Sequence, residues 1–208
     1  MRAILMALMT TWSAPAWCAD DILGVLQRSQ QMQLKALTEI QVDAASPEAQ
    51  IVRRSFERVL AAQDLPRDAR LIVVRGPLLA VCLMGQVIAA NVSLADLSES
   101  ERAFVLAHEL GHIAYGHWRQ LGALYQHYIP GEVLQQHTDA VAGALGRAAS
   151  ALSHQQEFEA DAFALRLIRR MGEPDDTPLV LFQHLPMIQA TATHPSTFQR
   201  VNHLRTLQ

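Results

Sequence analysis

The sequence predicts an α+β fold, mainly helical, with a small buried β-sheet packed beside the helix that carries His108. Three observations predict it. Apolar residues recur at helical spacing through most of the chain, one uncharged stretch is cut by turn residues into strand-length pieces, and a capping box opens the helix that follows it.

From Asp20 to about Thr38, Ile22, Leu23, Leu26, Met32, Leu34 and Leu37 fall at helical intervals behind an acidic start that suits the helix dipole. Ser46-Pro47-Glu48 supplies an N-cap and a proline at the first helical position, with Ile51, Val52, Phe56, Val59 and Leu60 facing inward. Pro66 ends that region. Arg70–Arg75, Leu79–Met84 and Val87–Ser93 read as strands joined by tight turns, nearly uniformly apolar and hence buried. Gly76–Ala95 lacks any charged residue, but Pro77, Gly85-Gln86 and Asn91 punctuate it as a sheet core, not a membrane span. Ser98-Glu99-Ser100-Glu101 is the capping box, and Pro130-Gly131 breaks the helical region after it. Two further helices are expected at Glu132–Ser150 and Ala151–Arg170, stopped by Met171-Gly172-Glu173-Pro174. A helix near Pro178–Gln189, a loop through Thr193-His194-Pro195 and a last helix to about Leu207 complete the chain.

The 208 residues carry 17 Lys+Arg against 20 Asp+Glu, a net charge of -3 without basic runs, which argues against affinity built on phosphate neutralisation. No nucleic-acid partner is expected. Ala3–Ala19 has the apolar run and small residues of a secretory signal, so residues 1–19 are read as a signal peptide and 20–208 as one domain. This implies a periplasmic or otherwise exported protein without a transmembrane span in the mature chain; a lipid anchor at Cys18 is the lesser alternative. Cys18 and Cys82 would then meet an oxidising compartment, with a free, buried Cys82 the expected state.

His108-Glu109-Leu110-Gly111-His112 is an HExxH motif on a capped, apolar helix, the zincin arrangement. Histidines four apart share one helical face and can approach a single tetrahedral ion, while Glu109, about 100° round the helix, can reach a water on that ion. Tyr115 and Trp118 stand where a metzincin needs Gly and His, so the third ligand lies elsewhere. Glu132 is one candidate. Glu157 is the better one, because Asp161 shares its helix face and can accept from a ligand imidazole. Glu159 is directed away and reads as a solvated residue, and His127, His137, His154, His184 and His203 have no metal spacing.

These residues resemble a known family. His108-Glu109-Leu110-Gly111-His112 with His117, then Glu157-Phe158-Glu159-Ala160-Asp161, then His194-Pro195 with Arg200 behind, are similar to the zinc peptidase family of HtpX and the CAAX prenyl proteases. The likeness is strongest to its soluble periplasmic, BepA-like branch. Departures fall in the hairpin Leu79–Leu94, where the family's usual Pro-Gly-Gly turn reads Met84-Gly85-Gln86 and its usual Asn is Leu79. The resemblance implies one Zn2+ per chain on His108, His112 and Glu157, Glu109 as catalytic carboxylate, Asp161 supporting a ligand imidazole, and His194 beside the site. A transition-state donor is expected among His194, Arg200 and Tyr115, although Tyr115 on an apolar helix reads as core. Substrate is expected to add a strand along Val87, Ile88, Ala89, Ala90 and Asn91. The implied function is an exported zinc endopeptidase acting on unfolded or misassembled envelope proteins, outer-membrane proteins included. The alternative is a zinc-bound, chaperone-like binding module with little or no proteolysis.

Overall fold

Asp21 caps the first helix, α1 (Ile22–Glu39), its carboxylate accepting from the Gly24 N–H at 2.8 Å. The computed structural model describes residues 21–63 and 69–208; the signal-like Ala3–Ala19, Cys18 and Pro66 lie outside them. Ser46 caps α2 (Pro47–Ala61), with Pro47 at its first position as expected. Three strands follow, β1 (Arg70–Val74), β2 (Ala80–Leu83) and β3 (Val87–Asn91), and a short 3-10 turn at Val92–Asp96 leads to α3 (Glu99–Ala114). The capping box of Ser98 and Glu101 is formed in full. The remaining helices are α4 (His117–Tyr128), α5 (Gln135–Arg170), α6 (Thr177–His184) and α7 (Thr197–Arg205).

Sheet order is β1-β3-β2, with β1 parallel and β2 antiparallel to β3. The period-two alternation of strands explains why all three are apolar on both faces. Leu71, Val73, Ile88 and Ala90 join the main core of α2, α3, α5 and α6, whereas Ile72, Val74, Val87, Ala89 and Leu83 pack under Leu37 of α1. Between β2 and β3 the chain turns at Met84 (φ 52) and Gly85 (φ 64), two left-handed residues as a type I′ turn requires. The Gln30 side chain of α1 accepts from the Met84 N–H and holds the less tolerant of the two.

Four expectations about the elements need correction. Glu132–Ser150 and Ala151–Arg170 are one helix, because the small residues around Ser150 neither remove an N–H nor favour another conformation. The helix near Pro178–Gln189 stops at His184, since Pro186 disfavours helical backbone at Leu185. The stretch after Ser98 is two helices, divided at Gly116 (φ 64). Most consequential, β3 is the central strand, hydrogen-bonded on both edges, so Val87–Asn91 has no free edge for a substrate strand. The outer strands are β1, bridged at Val74 by Gln41, and β2.

Candidate metal centre

The metal centre forms where α3 crosses α5. Gly111 permits the crossing: a Cβ there would sit 3.1 Å from the Ala160 Cα and 3.3 Å from Phe163. That proximity sets Glu157 opposite the two motif histidines. His108 Nε2 and His112 Nε2 lie 3.2 Å apart, and the Glu157 carboxylate reaches them at 3.5 and 3.4 Å. The candidate ligand atoms of these three residues all lie within 4.8 Å of one another. Glu132 bridges to Asp21 and is not in the cluster.

The donor set fits a cation of zinc's character. Two imidazole nitrogens and one carboxylate are a catalytic zinc set that leaves a coordination position open. Glu157 Oε2 is buried with no hydrogen-bond partner, as a group reserved for a metal would be. Burial works against ionisation of Glu157, but the close imidazoles of His108 and His112 and the charge of Arg200 outweigh it and hold the carboxyl well below its usual range. At His108, burial and Arg200 oppose protonation, yet Asp161 and Glu157 prevail and push its pKa up to about 10. The cavity therefore favours positive charge.

Each candidate ligand imidazole is held from behind. His108 Nδ1 meets Asp161 Oδ1 at 2.9 Å, and Asp161, fully buried, is clamped by the Arg200 guanidinium through Nε at 2.9 Å and through Nη2. Burial tends to raise the Asp161 pKa, but Arg200 outweighs it and keeps the carboxyl ionised. Arg200 also lies 3.5 Å from Glu157 and over the Phe182 ring, so it is committed to holding carboxylates. Tyr115 is neither core nor donor to the cleft: it is 40% exposed, and its hydroxyl accepts from Arg166.

His117 is brought to His112 by the break at Gly116. On one continuous helix, five residues would turn His117 about 140° from His112. The left-handed Gly116 redirects the chain, and the two Nδ1 atoms meet at 2.9 Å. His117 is buried, and its Nε2 lies 3.2 Å from Glu159 Oε2. Glu159 points away from Glu157, as its spacing implies, but it meets His117 there rather than solvent alone. Burial, followed by the neighbouring His112, lowers the His117 pKa to about 4, so this ring is neutral at physiological pH.

A cleft of about 550 Å³ opens over the three candidate ligands. Glu109 lines it together with Ala80 and Cys82 of β2, Met84 of the turn after it and His194 of the loop before α7. Burial, followed by the charge of Glu109, pushes the Cys82 thiol up to about 12, and Cys82 is free among the described residues. His194 is mostly exposed, with Nε2 3.8 Å from Glu157 Oε1. His154 steadies that loop by donating to the Thr191 carbonyl at 2.8 Å, a contact its isolated position in the sequence does not announce. Gln30 and Gln33 of α1 also border the cleft, and their place on an amphipathic helix gives no signal of it.

Residues 46–208 match the model of peptidase family M48. The chain belongs to that family. The match covers all three ligand candidates, Glu109 and the His194 loop, and begins after α1. Membership in family M48 makes this a metallopeptidase with polypeptide substrates, in agreement with the resemblance to HtpX and the CAAX prenyl proteases. No curated protein matches the chain. Among the described residues, no helix is long and apolar enough to cross a membrane.

Proposed function

We propose that the chain is an exported zinc endopeptidase of the BepA-like branch, hydrolysing peptide bonds in unfolded or misassembled envelope proteins. The observation that carries the enzymatic reading is the convergence of His108, His112 and Glu157 beneath an open cleft that Glu109 also lines. Export rests on the signal-like Ala3–Ala19 run. Zinc bound there supplies Lewis acidity for the scissile carbonyl and makes water a nucleophile near neutral pH. Glu109 takes the proton from that water and returns it to the leaving amine. His194, unlike Arg200, has its ring available at the cleft and serves as donor to the developing oxyanion.

Substrate pairs with β2 and not β3. The Asn91 N–H bonds the Leu79 carbonyl, so by antiparallel alternation the backbone groups of Ala80 and Cys82 face the open edge. An extended peptide adding there gains main-chain hydrogen bonds with little demand on sequence, which suits unfolded clients.

The test is zinc content and casein cleavage of the full mature chain beside Glu109→Gln. Retained zinc with cleavage reduced about 10²–10⁴-fold is expected. Equal cleavage by both proteins would sink the mechanism. Zinc in both proteins with cleavage in neither would favour a chaperone-like binding module.

A further inference from the structure

Ligand histidines in metal sites commonly pass their second N–H to a carboxylate or carbonyl, which fixes the tautomer and raises ligand basicity. His108 does so directly, through Asp161. At His112 the corresponding contact is to another imidazole. His117 Nδ1 lies 2.9 Å from His112 Nδ1, His117 Nε2 lies 3.2 Å from Glu159 Oε2, and Glu159 Oε1 accepts from the Gln155 side chain at 2.7 Å.

We propose that His117 and Glu159 are positioning residues for the metal: an imidazole relay through which a cleft-remote carboxylate fixes and strengthens the ligand His112. The inference rests on the metal-centre reading above, in which His112 binds through Nε2. The proton assignments then follow one another. With Nε2 turned to the metal, His112 carries its hydrogen on Nδ1 and donates it to His117 Nδ1. His117 must accept there, so its own hydrogen sits on Nε2 and is donated to Glu159 Oε2. Each nitrogen in the chain has one consistent role. Reversing it would strip His112 Nε2 of the lone pair the metal needs. Tyr115 stacks against His117, ring centroids 5.7 Å apart, and the Gln156 amide donates to the His117 carbonyl, so the relay ring is held in place independently of the metal.

The two ligand imidazoles are therefore supported unequally. Behind His108 stands a fully buried carboxylate in direct contact; behind His112 stands a partly exposed carboxylate one ring further away. Removing the charge of Glu159 should weaken zinc binding without disturbing the fold, because its side chain is 38% exposed.

The experiment measures zinc dissociation constants of the full chain by competition with a chromophoric chelator, for wild type, Glu159→Gln, Glu159→Asp, His117→Ala and His112→Ala, with the thermal midpoint of each zinc-free protein. The expected result is about tenfold weaker zinc binding in Glu159→Gln, partial recovery in Glu159→Asp and a larger loss in His117→Ala. The zinc-free midpoint of Glu159→Gln should match wild type. Nitrogen-15 correlation spectra of the zinc-loaded wild type should show His117 protonated at Nε2 and His112 at Nδ1. Unchanged zinc affinity in Glu159→Gln, or His117 protonated at Nδ1, overturns the relay while leaving the metal centre intact. Unchanged affinity in His112→Ala overturns both.

Discussion

His108 and Asp161 meet at 2.9 Å from helices that are far apart in sequence, and the carboxylate between them and Arg200 is completely buried. The contact fixes which nitrogen of His108 faces the cleft. It also joins α3, α5 and α7 at one point, so the metal site and the packing of three helices depend on the same charge. Asp161→Asn keeps the shape and removes that charge. Zinc affinity is expected to fall about 10–100-fold, read by chelator competition. Arg200, left with only its longer contact to the Glu157 carboxylate, should also lower the thermal midpoint.

The open edge of β2 can be tested by proline. In Cys82→Pro the lost N–H points outward, so the β2–β3 ladder survives while peptide pairing is blocked. Casein cleavage should drop well below that of the Cys82→Ala control at similar thermal stability. Val81→Pro removes an inward ladder bond and should instead destabilise the fold. Equal cleavage by Cys82→Pro and Cys82→Ala would show that substrate does not use this edge.

Gly111→Ala sets helix propensity against packing. The substitution gains about 1 kcal/mol of helix propensity. Overpacking against the Ala160 backbone at 3.1 Å costs about 1–3 kcal/mol. Backbone cannot rotate aside as a side chain can, so α5 must shift, and Glu157 with it. A small fall in the zinc-free thermal midpoint is expected beside a larger fall in zinc affinity.

Acid should weaken the joint between α2 and α3. Burial tends to raise the Glu99 pKa, but hydrogen bonds from Arg102, Ser55 and Arg58 outweigh it and hold the folded value below the ordinary 4.5. A carboxyl with a depressed folded pKa adds stability above its unfolded value and loses that contribution as pH falls through the folded one. Urea midpoints of wild type and Glu99→Gln should therefore differ at pH 7 and begin to approach each other as pH falls below about 4.5. A gap at pH 3 as wide as that at pH 7 would mean that the charge of Glu99 contributes nothing.

Much of the site was legible because its signals are local. HExxH on a capped helix names two candidate ligands and a carboxylate, and the four-residue spacing of Glu157 and Asp161 puts both on one face of α5. What escaped is non-local. The strand pattern shows that Val87–Asn91 is buried on both faces, yet it says nothing of β1 crossing over to pair alongside it and close its second edge. Helical spacing directs Glu159 away from Glu157 correctly, but not toward what covers the opposite face. That depends on α4, which exists as a separate helix because of a single glycine conformation. Gln30 and Gln33 border the cleft through tertiary packing of α1, and nothing in their neighbourhood of the chain marks them.

Gly116 changes what counts as the signature of this site. The familiar reading stops at His112, five letters in, and treats the following residues as ordinary helix. In three dimensions the word runs on to His117, and its spelling includes a residue able to take φ 64 immediately before the final histidine. A side chain at that position would have to adopt the left-handed backbone and displace the Arg119 guanidinium, 2.9 Å from where its Cβ would sit. A chain that kept both histidines but lost the glycine would match the pattern letter for letter at the ligands. It would still be ungrammatical unless the new residue took the same left-handed backbone, since on a straight helix the last histidine lies about 140° from His112.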